Sequence, residues 1–366
     1  MVNRTTSSNQ KLFLGGSLIA MMGFGCATIA GLDEDFAHAP TCNPIVAVSA
    51  PSVKNAGETI EFTAAVRSID LDEEDDDPRF GFDLDGKCSC TTDGPGCKRP
   101  AYIDVKKEVC DDERGLDNGT GVALARLNAL AGGAISSILL NEGATQGYWS
   151  LLIRVRGYSG TPDDDHVNVA VYETPGLTAP GWNGEDIWPV ANNTVGSTGT
   201  VDDPLNVDDK AYVHNGILVA HIPKTRLVLR ASKLNLPIDL FDLTISAKIA
   251  EANAGKWRLT EGTVAAKWSH PALFRGLSEF RYDTDLKKKL CRDDIIYLQV
   301  KSAFCSSTDV LDNPSAGESA ECNAISFGMR FDTESAQLGM VAAPLPPPDP
   351  LCNTGFDPIL DTCEKP

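Results

Sequence analysis

Leu151 to Tyr172 reads LLIRVRGYSGTPDDDHVNVAVY, two alternating runs on either side of a glycine- and proline-bearing turn. Leu151, Ile153 and Val155 alternate with Leu152, Arg154 and Arg156, and Val167, Val169 and Val171 alternate with Asn168, Ala170 and Tyr172. A period of two places each apolar set on one face of a strand, so the stretch predicts a β-hairpin. Its tip, Gly157 to His166, carries Asp163, Asp164 and Asp165, expected in solvent and a secondary candidate for cation capture.

The same signal recurs outward from the hairpin. Ala211 to His214 and Ile217 to Ile222 flank Asn215-Gly216, a strong hairpin turn, and Arg226 to Ala231 adds another strand. Leu243 to Ala250, Trp257 to Thr260, Thr263 to Trp268 and Ile325 to Phe331 continue the series. On the N-terminal side, Ile45 to Ala50 and Thr59 to Val66 read as strands about a turn at Lys54 to Gly57. Between Thr120 and Leu140, Leu124, Leu127, Ala131, Ala134, Ile135 and Ile138 recur at helical steps, as one helix or as two broken at Gly132-Gly133, with Asn118 or Thr120 as cap. Shorter helices are expected from His270 to Phe280, capped by Ser269, and from Asp293 to Phe304. The expected fold is mainly β, with β-sandwich-like antiparallel sheets, a few short helices and disulfide staples.

Over 366 residues, 51 acidic side chains face 32 basic ones, a net charge of -19 that repels nucleic acid and favours metal cations. The chain opens with Arg4 and Lys11 and then runs uncharged from Leu12 to Leu32, the layout of a secretory signal. Ile19 to Cys26, IAMMGFGC, resembles the end of a bacterial lipobox, which implies a signal over residues 1–25, lipidation of Cys26 and a tether over 26–41. Ala27 after that cysteine resembles lipoproteins sent to the outer membrane, which makes the membrane a partner through the lipid. Cleavage after Ala30, giving a periplasmic or extracellular protein, and a retained helix are the competing readings.

Eleven cysteines, less Cys26, leave an even set suited to disulfides in an oxidising compartment. Four of them, Cys88, Cys90, Cys97 and Cys110, lie in an aspartate-rich block, and sequence proximity suggests Cys90 with Cys97, Cys88 with Cys110, and Cys352 with Cys363. Zinc fits less well, because one pair is CxC and the other spacings are wide. Asp83-Leu84-Asp85-Gly86 begins like an EF-hand loop, but its twelfth position is Gly94 rather than a bidentate glutamate. Asp83, Asp85, Asp117 and Asn118, with Asp111 and Asp112 beside them, can still gather round one calcium ion, against the plainer reading that they cap turns. The acid run from Asp70 to Asp77 reads as a solvated loop. These features divide the chain into strands and Cys/Asp block (42–118), main β-rich domain (119–343), proline-rich linker (344–350) and a small disulfide loop (351–366).

Gly176 to Lys210 is loop-rich and holds Trp182 and Trp188, whose indoles can stack on a sugar or fold the loop onto the core. His214 and His221 are assigned to the surface. GxSxG, HExxH, GxGxxG and P-loop patterns do not occur. FDLDGKCSC (82–90), GLDNGTG (115–121) and RVRGYSGTPDDD (154–165) resemble secreted and lipid-anchored proteins of large-genome Gram-negative bacteria that carry no known activity. The body also resembles concanavalin- or laminin-G-type sandwiches, whose loops bind calcium and glycans, with no motif that transfers a site. The expectation is a non-catalytic envelope module for adhesion or ligand binding, with a glycan or an envelope protein as partner. A secreted carbohydrate-active hydrolase with paired carboxylates is the alternative.

Overall fold

A computed structural model describes residues 42–52, 60–74, 79–90, 94–111, 113–131, 135–253, 255–282, 286, 288–344 and 352–364. The signal, Cys26, the tether, the Lys54 to Gly57 turn, the Gly132-Gly133 break and most of the proline-rich linker lie outside the described residues. The alternating stretches become strands β1 (Ile60–Asp70), β2 (Leu151–Tyr158), β3 (Asp164–Glu173), β4 (Ile187–Val190) and β5 (Val207–His214). They continue as β6 (Ile217–Ala231), β7 (Leu234–Asn253), β8 (Lys256–Ser269), β9 (Arg281–Tyr282), β10 (Lys288–Lys289) and β11 (Ala324–Val341). Among the described residues four α-helices accompany them: α1 (Gly119–Ala131), α2 (Ser137–Thr145), α3 (His270–Glu279) and α4 (Ile295–Cys305).

The chain is mainly β, as its alternation requires. The strands do not divide into two facing sheets, however: β7, β6, β5, β3, β2, β1, β11 and β8 pair antiparallel in that order, and β8 returns to β7. The sheet therefore closes into a barrel. Register shifts between Phe241 and Thr244, where Asp242 has a φ of 51°, bend the long β7 so that it serves β6 and β8 together. Strands expected as separate pieces are continuous: β6 runs through Pro223-Lys224, and β8 runs through Glu261-Gly262.

One side of each strand fills the barrel. Ala64 and Val66, Ile153 and Val155, Val169 and Val171, Leu236 and Ile238, Val264 and Ala266, and Phe327 and Met329 all belong to one buried cluster. The odd-and-even pattern read in β2 and β3 thus points inward as expected. Their other side is also covered, because Ala65, Leu152, Ala170 and Tyr172 pack beneath Trp188, Val190 and Val195. The long loop, with β4 parallel to β11 inside it, lies on the outside of the barrel. Helix α2 packs on β1 and β6, α3 on β7 and β8, and α1 on β11 and α4.

Several local expectations are corrected. Ile45 to Ala50 is not a strand; it crosses the Cys/Asp block, where Asp83 N donates to Ile45 O at 2.9 Å and Ile45 N to Arg114 O at 2.8 Å. Ser269 stands at the start of α3 but makes no side-chain cap bond, while Asn118 does cap α1, its Oδ1 accepting from Gly121 N at 3.1 Å. Asp164, expected in solvent, is fully buried and takes Ser159 N at 2.8 Å and His166 N at 3.1 Å, which shapes the hairpin tip.

Cysteine pairing differs from sequence proximity at every expected pair. The bonds are Cys42–Cys88, Cys90–Cys110, Cys97–Cys322, Cys291–Cys352 and Cys305–Cys363. Cys352 and Cys363 do not close their own loop; each fastens the tail to one end of the α4 region. Lys301 Nζ reinforces that docking at 3.1 Å from Asp361, with Tyr297 Oη donating to the same carboxylate at 2.6 Å. Five disulfides fit an oxidising, exported environment. Among the described residues no helix is long and apolar enough to cross a membrane.

A candidate cation site in the disulfide knot

Among the described residues of the knot, 82–118, the buried apolar side chains include Ile103, Val109, Leu116 and the disulfide-bonded Cys88 and Cys97, and covalent links and turn hydrogen bonds carry much of its shape. Cys42–Cys88 and Cys90–Cys110 fold the block on itself, and Cys97–Cys322 fixes it to the segment leading into β11. Phe82 bridges to Asp117, which brings the two acid-bearing ends side by side. Asp83 Oδ1 accepts from Gly86 N at 2.6 Å, Asp85 Oδ1 from Lys87 N at 2.9 Å, and Asp117 Oδ2 from Leu84 N at 2.7 Å. These are the turn-capping roles that short acids favour.

The same folding brings one oxygen of Asp83, Asp85 and Asp117 within 4.8 Å of one another. Ligands held 2.3 to 2.6 Å from a calcium ion lie at most about 5 Å apart, so the three carboxylates meet its reach. Asn118 does not join them. Its Oδ1 takes Gly328 N at 2.8 Å as well as the α1 cap, and its Nδ2 donates to Asp72 at 3.3 Å.

Two further acids complete the charge pattern. Asp111 is buried against Ser89 N at 3.0 Å, and Asp309 lies half-buried in contact with the same charges, accepting from Ser326 N at 2.8 Å and from Ser326 Oγ. Burial, then repulsion from Asp111 and Asp83, pushes Asp85 up to about 6, and burial pushes Asp309 up to about 7. Burial likewise raises Asp111 and holds Asp117 well above the carboxylate range. Lys87 draws Asp85 down, but its ammonium also serves Glu318 at 2.7 Å. The cluster is thus an electronegative concavity relieved by protons or by a hard cation.

Glycines wall it tightly. A Cβ on Gly96 would collide with the Asp85 carboxylate, and one on Gly115, at a φ of 61°, would sit 2.6 Å from Lys87 O. Asp309 is the residue the sequence reading missed. It lies far along the chain in an unremarkable Thr-Asp-Val stretch, with no local signal beyond its nearness to Cys305.

The tryptophans fold their loop onto the barrel. Trp188 is fully buried, Trp182 packs against it with ring centroids 5.2 Å apart, and Trp182 Nε1 donates to Thr145 O at 3.2 Å. Trp188 therefore offers no face for stacking. His221 lies at the surface, its ring nitrogen 3.1 Å from Thr244 Oγ1, and His214 stands beside Asp163 at 3.5 Å. No family model, curated protein or solved structure matches the chain.

Proposed function

We propose that this chain is an exported, lipid-tethered envelope protein that acts as a non-catalytic binding module, with a structural calcium ion in its disulfide knot. The convergence of Asp83, Asp85 and Asp117 within 4.8 Å is the observation that carries the cation. The remaining support is the export-type N-terminus together with a cross-linked, solidly packed barrel, a scaffold suited to presenting loops outside the cytoplasm.

Calorimetry with calcium on the mature chain tests the cation. Binding heat is expected for the native chain and is lost in Asp117→Asn. No heat, or equal heat in both, removes the ion from the reading. Palmitate labelling of the native chain and of Cys26→Ser tests the tether, and equal labelling of the two defeats it.

A further inference from the structure

The barrel has a seam. β5 pairs with β6 only at Ile217 to Val219, whereas β7 follows β6 from Ile217 to Ala231. Beyond Val219 β5 no longer pairs with β6; Arg230 there reaches Glu173 and Thr174 O at the end of β3, and α2 packs alongside. Two adjoining cavities of 780 Å³ and 380 Å³ open there and meet at Pro175 and Arg230. Volumes of this size are those of ligand sites.

The groove is built rather than left over. Gly147 and Gly176 have φ of 80° and 110°, Leu177 N donates to Gly147 O at 2.8 Å, and a Cβ on Gly176 would lie 2.7 Å from that same oxygen. Only glycine permits this approach, so the wall carrying Tyr148 is locked. Arg230 is locked too, its Nε donating to Asn235 Oδ1 at 2.9 Å and its Nη2 to Glu173 at 3.2 Å, while Asn193 Nδ2 donates to the other Glu173 oxygen at 3.0 Å.

Its chemistry departs from that of the protein. On a chain of net charge -19, the described lining of the larger cavity holds Arg230 and Lys233 and no acid. Lys233 has no ion partner among the described residues, and Tyr148 is 42% exposed. A flat aromatic face, a cation with no ion partner among the described residues, the amide of Asn192 and the amide atoms of Asn193 and Asn235 not engaged by Glu173 and Arg230 match a ring-shaped ligand that bears hydroxyls and a negative charge. We infer that this seam groove binds an acidic oligosaccharide of the uronate class, with Tyr148 as stacking platform and Lys233 as the carboxylate contact.

The inference deepens the binding-module reading and rests on it. Glu173 and Glu279 both line the smaller cavity, but each is ion-paired, to Arg230 and Arg226 respectively, which keeps them as anchors for arginine.

The test is calorimetric titration of the full mature chain with a galacturonate trisaccharide and with neutral cellotriose. Uronate binding is expected, about tenfold weaker in Tyr148→Ala and severalfold weaker in Lys233→Ala, falling with salt and exceeding cellotriose binding. Both side chains are exposed, so circular dichroism should match the native chain. Absent uronate binding, equal cellotriose binding, or indifference to both variants overturns the groove while leaving the calcium result standing. Release of reducing ends overturns the non-catalytic reading instead.

Discussion

The barrel and the knot are two solutions to the same requirement. In the barrel, a ladder of backbone hydrogen bonds surrounds side chains such as Ile153, Val169 and Phe327 that are 0% exposed. In the knot, the buried groups include Asp111 at 5% and Asp117 at 2%, and three disulfides supply what apolar packing does not. The first gains stability by removing carbon from water; the second raises the free energy of its own carboxylates and is held by restricting the unfolded chain. A region of the second kind carries a charge cost that its cross-links offset.

Damage to each region should therefore look different. Phe327→Ala is expected to remove roughly 3 to 5 kcal/mol by opening a cavity in a packed interior, read as a lower guanidinium midpoint for the whole chain. Replacing Cys97 and Cys322 together by serine releases a link across 225 residues and should cost about 2 to 5 kcal/mol. Hydrogen exchange separates them: the cysteine variant should lose protection across 82–118 while β2 and β3 keep theirs. Equal loss in β2 and β3 would show that knot and barrel are one cooperative unit.

Asn118 is the joint between the regions, and its removal sharpens the distinction between scaffold and ligand. Asn118→Ala strands the N–H groups of Gly121 and Gly328 in a buried place, at a cost of about 2 to 3 kcal/mol. Calcium-induced stabilisation should persist in this variant, because the amide is committed to α1 and β11. Its loss would return Asn118 to the ion.

The two regions also differ in how far the sequence announces them. Leu151, Ile153 and Val155 declare a strand, and Asn215-Gly216 declares a hairpin, because face and turn are local properties. Ring closure is not local: nothing in Thr263 to Trp268 names Ile325 to Phe331 as its partner, and a period of two fixes faces without fixing neighbours. The outer face of β2 and β3 carries Leu152 and Tyr172 beneath the tryptophan loop, so burial on both sides also resembles a sandwich. Cysteine parity was readable and pairing was not, since Cys97 finds its partner beyond most of the barrel. Asp83, Asp85 and Asp117 were readable as a group through their crowding. Asp309 and the groove residues Arg226 and Arg230 were not, because only folding makes them neighbours of anything.

The smallest expected effect probes the knot's charge directly. Asp309 and Asp85 have folded values near 7 and 6, above the ordinary 3.8, so their stabilising contribution is complete below that value and disappears as pH rises through 6 to 7. His270 works in the opposite sense: burial lowers it to about 4 from 6.5, so stability falls as pH drops from 6.5 toward 4. Between pH 6.5 and 8 it is the raised acids of the knot that set the direction. In chelator, stability should fall across that window by on the order of 1 kcal/mol, and Asp309→Asn should flatten the dependence. Saturating calcium should flatten it as well, since a cation favours the ionised carboxylates and replaces the protons the knot would otherwise retain. A profile in chelator that rises from pH 6.5 to 8 would mean the carboxylates are already neutralised by the protein's own cations, and the knot would then be a second packed scaffold with no need of an ion.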